Sequence, residues 1–257
     1  MIDWRRLGRG LVLPILFLAL WELLRATGVL PYETLSQPSL IARATLSALA
    51  DGTLLYATWQ TLEAATLGWA IAGAVAVLAG VLLGLFPPLA RMTSLSVEAL
   101  RPIPSVALIP LSLLVFGFGL RMEVAVVAFA VFWPVLIVTS SGVRGIEPNL
   151  LEVGRALKLS VARRIWKLVL PAALPSIAVG LRLGAGIAIV VAVTVEIATN
   201  PWGLGYGMIN ASQSLRADLM FAQLLWIGVV GWGLNVALLR IERRWLAWFW
   251  SAREAAR

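Results

Sequence analysis

The sequence predicts an all-α polytopic membrane protein with about six transmembrane helices and one charged loop on the cytoplasmic side. Three observations carry that prediction. Apolar residues make up 60% of the 257 and charged residues 13%, with a mean hydropathy of +0.90. A soluble domain carries about 25% charged residues, so too few are present to cover a wetted surface. The apolar residues also gather into runs of the length a helix needs to cross a bilayer, about 20 residues. Finally, the basic residues cluster between those runs.

The first run, Leu11–Leu24, follows Arg5, Arg6 and Arg9. Trp21-Glu22 interrupts it and no small-x-small cleavage site follows, so it reads as an uncleaved first helix rather than a signal peptide. The stretch "SLIARATLSAL", inside a mixed segment with Pro31 and Pro38, reads as a short amphipathic helix at an interface. The second span is Thr58–Phe86 and stops at Pro87-Pro88. The third is Ile103–Phe118, the fourth Glu123–Gly142 and the fifth Val169–Ala198. The sixth, Leu219–Leu239, can continue to Trp250. No repeat or low-complexity tract divides the chain, so residues 1–257 are read as one domain.

Basic residues orient these spans. With both termini in the cytoplasm, the inner segments hold sixteen of the 21 lysines and arginines, counting Arg91 and Arg101 in the loop before the third span. That asymmetry fits the positive-inside rule. It also accounts for the formal charge of +8 without a nucleic-acid partner. His and Cys are absent, which excludes disulfides, thiolate and imidazole metal sites, and Ser–His–Asp or Cys–His catalysis. The chain has no G-x-x-x-x-G-K-[ST], hence no P-loop for ATP. No cofactor is expected.

The longest inner loop, residues 144–168, holds "GIEPNLLEVGRALKLS". Pro148 suits a first helical position beside Glu147. Glu152 and Arg155 are three apart and share a helix face. Ser160 suits the cap of a second short helix, "VARRIWKLVL". A mere topology signal needs no such pair of capped helices, whereas a docking knob does.

This stretch resembles the "EAA" loop of inner-membrane permease subunits of binding-protein-dependent ABC importers. Glu152 holds the glutamate, and Leu168, Leu170 and Pro171 the closing part at the right spacing. Val153 and Gly154 stand for the usual alanines, and Lys158 for the usual glycine. "LRPIPSVALIPLSLLVFGFG" (100–119), "LPAALPSIAVGLRLGAG" (170–186) and "GLGYGMINA" (203–211) are similar, in order, to the nitrate, sulfonate, taurine and bicarbonate branch of that family. The resemblance covers about Gln60 to the C-terminus. It implies a six-helix permease of a bacterial inner membrane, working as a homodimer with two cytoplasmic ABC ATPase subunits and an extracytoplasmic binding protein. It also implies that Glu152, Val153, Gly154, Arg155, Ala156, Leu157 and Lys158 form the ATPase-coupling helix.

Further features bear on transport. Gly68, Ala72, Ala76, Gly80 and Gly84 of the second span, and Gly180, Gly184 and Ala188 of the fifth, recur every fourth position. Such stripes let helices approach closely, within one subunit or across a moving interface between two. Pro102, Pro104 and Pro110 cluster at the entry of the third span, and the Pro-Ile-Pro segment is a candidate gate. Arg182 and Glu196 are the ionisable residues most clearly inside a span, about 40° and roughly 21 Å apart on one helix. A span charge faces a pathway or pairs with another helix, and Glu196 can also sit at the interface. The rival reading is a self-contained secondary transporter or channel, which is expected to carry several carboxylates deep in its spans.

Overall fold

The computed structural model describes residues 4–28 and 35–245. Among them the chain is helical throughout: α1 (Trp4–Ala26), α2 (Pro38–Ala50), α3 (Thr53–Leu85), α4 (Pro87–Leu100), α5 (Ile109–Phe116), α6 (Leu120–Arg144), α7 (Pro148–Ala156), α8 (Val161–Arg164), α9 (Leu170–Ala198), α10 (Gly203–Gln213) and α11 (Ala217–Trp245). The arginines at 253 and 257, and any continuation of the last span to Trp250, lie outside the described residues.

The core is α3, α6 and α9. Val126, Val127, Val131 and Val135 of α6 are fully buried between Ala72 and Ala76 of α3 and Ala188 and Ala192 of α9. Both small-residue stripes serve this packing inside one chain. A methyl group added at Gly68, Gly80 or Gly84 would strike Val127, Thr139 or Val143 of α6, a constant offset of 59 positions, so α3 and α6 run parallel. Gly180 lies against Val138 and Gly184 against Val135 and Val131, so α9 returns antiparallel. Without a hydrophobic drive between helices in lipid, such close approach supplies the contact energy. Apart from the half-buried Gly84, both stripes are buried within the chain.

Four stretches are long and apolar enough to cross a membrane: Thr53–Leu85, Leu120–Arg144, Val161–Ala198 and Ala217–Arg244. A bent pair, α4 with Ser105–Phe116, adds a fifth. The expected count of six is thus approximate, and the third and fifth spans differ from expectation. α1 carries the first expected run, Leu11–Leu24, and Glu22 within it does not interrupt the helix. Its Glu22 instead accepts the backbone N–H (3.0 Å) and hydroxyl (2.7 Å) of Ser39, capping α2 in place of Gln37, which makes no side-chain cap.

The third span is not one helix entered through a mild kink. The axis turns by 82° between α4 and the 3-10 turn Ser105–Leu108 that leads into α5. Pro102 and Pro104 remove two backbone donors two residues apart, so the helical ladder cannot pass through them. Conversely, the fifth span starts earlier than Val169. α8 runs into α9 through one π turn, Ile165–Val169, which absorbs the missing N–H of Pro171.

α11 lies along the flank, held by the Trp226 indole donating to the Thr58 hydroxyl at 2.8 Å.

Candidate functional site

Residues 144–168 fold as an exposed bracket on the α6–α9 turn. Glu147 occupies the cap position of α7, but its side chain makes no capping bond. Pro148 takes the first turn as its position predicts. At the far end Lys158 N–H donates to Arg155 C=O (2.9 Å) and Leu159 N–H to Gly154 C=O (3.1 Å). These two bonds make a Schellman end, and Lys158 adopts the left-handed conformation it needs, φ 51°. Two residues on, Ser160 accepts from the N–H of Arg163 at 3.4 Å and starts α8.

Gly154 is the one buried position of the stretch 152–158. A Cβ there would meet Leu168 at 2.6 Å and Arg164 at 3.0 Å, so its lack of a side chain lets α7 rest on the π turn. Glu152, Val153, Arg155, Ala156, Leu157 and Lys158 are exposed. The result is a short, capped, braced helix with both charges and the apolar Val153 and Leu157 turned outward.

Lysine in a left-handed turn costs about 1–2 kcal/mol that glycine avoids, partly offset by glycine's greater unfolded-state freedom. Lys158→Gly is therefore expected to stabilise the chain by roughly 0.5–1 kcal/mol. Thermal unfolding in detergent measures this; a lower melting temperature would contradict the strain assigned to Lys158.

The span charges have partners that no local pattern announced. Arg182 donates to Glu242 of α11 at 2.9 Å, an ion pair with about a third of the arginine side chain exposed. Glu196 is not at an interface: it is 1% exposed. Its carboxylate accepts the Thr61 hydroxyl and the Gly205 N–H, each at 2.7 Å. Thr61 in turn accepts Leu204 N–H at 3.0 Å, and Gln60 accepts Gly203 N–H at 3.2 Å.

The first three amides of α10 are thus held by α3 and α9. Gly203, at φ 90°, permits this because a Cβ would collide with the Glu196 carboxylate. Glu123 of α6, also buried, lies against Glu196 and accepts from Asn200 at 2.7 Å. Sequence reasoning passed over Glu123, Gln60, Thr61, Asn200 and Glu242. The available signal was polar residues in the first turns of predicted spans. The buried carboxyls fasten helices, which is not the open relay a proton-coupled carrier uses.

The Pro102–Pro104 break borders two cavities. One, about 840 Å³, is lined by Arg91, Glu98, Arg101, Ser140 and Arg144 among others. The second, about 410 Å³, is lined mostly by apolar faces of α6 and α9.

A parallel-antiparallel core of membrane helices, a broken span beside cavities and an exposed bracket between two spans define the class: a multi-pass membrane transport subunit. The family is explicit. Residues 72–245 match the binding-protein-dependent transport system inner membrane component, and the chain belongs to that family. A Bacillus subtilis protein named for aliphatic sulfonates transport, a permease, is 31% identical over 93% of this chain and 87% of its own length. A Synechococcus elongatus bicarbonate transport system permease is 29% identical over 93% and 91%. The fold is shared with the methionine ABC transporter MetNI in inward-facing form, at TM-score 0.68 and 21% identity, over 74% of this chain and 95% of that one. The protein is therefore an ABC importer permease of the branch that includes sulfonate and bicarbonate permeases, in a multi-pass inner-membrane setting.

Proposed function

We propose that this chain forms the translocation pathway of an ATP-driven importer for a small oxyanion such as a sulfonate, taurine, nitrate or bicarbonate. It works as a homodimer with both termini cytoplasmic and performs no chemistry itself. Two ATPase subunits dock on residues 144–168 of the two copies, and a binding protein delivers cargo from the other side. The observation that carries this reading is the braced α7 bracket, whose exposed Glu152, Val153, Arg155 and Leu157 offer charge and apolar surface on a rigid support. The named cargoes of the relatives support the anionic class.

Reconstitution tests it. The chain alone in proteoliposomes is expected to take up nothing. Uptake of a sulfonate or bicarbonate should require the ATPase, ATP and the binding protein together. Uptake driven by an ion gradient across vesicles holding the chain alone would overturn the reading.

Reversing one charge on the bracket gives a sharper result. Breaking a desolvated charge contact costs about 2–5 kcal/mol, so Glu152→Arg should weaken ATPase association by at least about 25-fold. Insertion and dimerisation should be unaffected. Co-purification with the ATPase reads this, and wild-type association would move the coupling contact elsewhere in the loop.

A further inference from the structure

Arg101 belongs at the break of the third span rather than in the loop before it. It lines both cavities, as does Ile137 of α6, and Arg144 lines only the larger. Arg101 is exposed, and it shares the larger cavity with Arg91 and Arg144. Among the described residues Arg101 has no hydrogen bond or ion pair.

Its surroundings are basic. Arg91, Arg101 and Arg144 face one carboxylate, Glu98, around the larger cavity. Arg144 is held in place by donating to the Ser140 hydroxyl at 2.6 Å. The smaller cavity continues from Arg101 along Phe129, Trp133, Leu183 and Ile187. A charged entrance thus opens onto an apolar wall, which suits a ligand with an anionic head and a short apolar body.

We propose that the break of the third span is an oxyanion-binding site in which Arg101 supplies the charge that meets the ligand, with Arg144 and Arg91 behind it. The proposal deepens the importer reading by giving the permease its own point of contact with anionic cargo, and it rests on that reading only for the identity of the cargo. Broken helices beside a cavity are where transporters place charged ligands, because the interrupted ladder frees backbone groups there. The same chemistry would hold the phosphate of an anionic lipid.

The absence of cysteine makes the site directly testable. In the full-length chain in phosphatidylcholine nanodiscs, Ser94→Cys and Ser105→Cys each place a thiol on one of the cavities. Each is treated with an anionic or a cationic methanethiosulfonate of similar size, 2-sulfonatoethyl or 2-(trimethylammonium)ethyl. The thiolate attacks the reagent's sulfenyl sulfur, forms a mixed disulfide and expels methanesulfinate; the mass of the chain reports the rate. Relative to a free small thiol, the anionic reagent should be favoured by about tenfold or more, since a focused positive field raises anion encounter by that order.

Adding Arg101→Gln should remove the preference. Excess methanesulfonate should slow the anionic reagent if a free oxyanion is the ligand. Replacing part of the phosphatidylcholine with phosphatidylglycerol should slow it instead if the ligand is a lipid headgroup. Unreactive thiols, no charge preference, a preference that survives Arg101→Gln, or protection by neither anion would each overturn the site. The assay needs no ATPase or binding protein, so it fails or succeeds separately from the uptake experiment.

Discussion

Glu196→Ala is expected to destabilise the chain by about 2–5 kcal/mol, because it leaves the buried Gly205 N–H without an acceptor, at roughly 1–3 kcal/mol, and empties the space of a buried side chain. The Thr61 hydroxyl loses its 2.7 Å acceptor as well and is left with the Ala57 carbonyl at 3.1 Å. Thr61 also receives Leu204 N–H, so the loss reaches the α10 N-terminus through both routes. Melting in detergent should fall, and the amides of residues 203–205 should exchange with solvent faster while those in the middle of α6 keep their protection. Glu196→Gln keeps the volume and one acceptor but turns an NH₂ toward the other donor, so its loss should be intermediate. An unchanged melting curve with unchanged amide protection would mean that α10 is held by its apolar contacts alone.

Gly80→Leu should be comparably damaging for a different reason. The new Cβ would lie 2.7 Å from Thr139 Cβ and 3.0 Å from the Leu136 carbonyl oxygen, and a backbone oxygen on a packed helix cannot step aside. Overpacking of this kind costs about 1–3 kcal/mol and occasionally more, and here it pries apart the α3–α6 seam on which the core depends. Gly186→Ala is the matched control. No atom lies within 4 Å of its added methyl, so helix propensity alone should stabilise it by about 0.5–1 kcal/mol. Paired thermal unfolding curves decide the matter: similar shifts for the two would show that the seam is looser than its geometry.

The elements that could be read from the sequence are those whose cause is local. The apolar runs of α3, α6 and α11, the amphipathic α2, the Pro148 and Ser160 starts and the loop resemblance need only neighbouring residues to be recognised. The stripe of Gly68, Ala72, Ala76 and Gly80 announced close packing, but its partner could not be named. The cluster of Pro102 and Pro104 announced a perturbation but not its size, because the same prolines make a gentle bend at a helix entry and an 82° break inside one. The bracket was visible as charge pattern and motif spacing, and Lys158 was conspicuous because it replaces a glycine. Its positive φ depends on how the turn closes onto Gly154.

By itself, then, the sequence determined an all-helical membrane protein, the approximate spans and the charged loop between two of them. Composition and short-range periodicity are properties of a segment, and lipid leaves a long apolar segment little choice but a helix. Tertiary structure alone decided the partners. Asn200 reaches Glu123 across 77 positions and Glu196 reaches Thr61 across 135; Arg182 meets Glu242 of α11. A buried charge or amide is stable only where another helix brings it a partner, and which helix does so is fixed by how the grooves of α3, α6 and α9 interlock, a relation that no single segment contains.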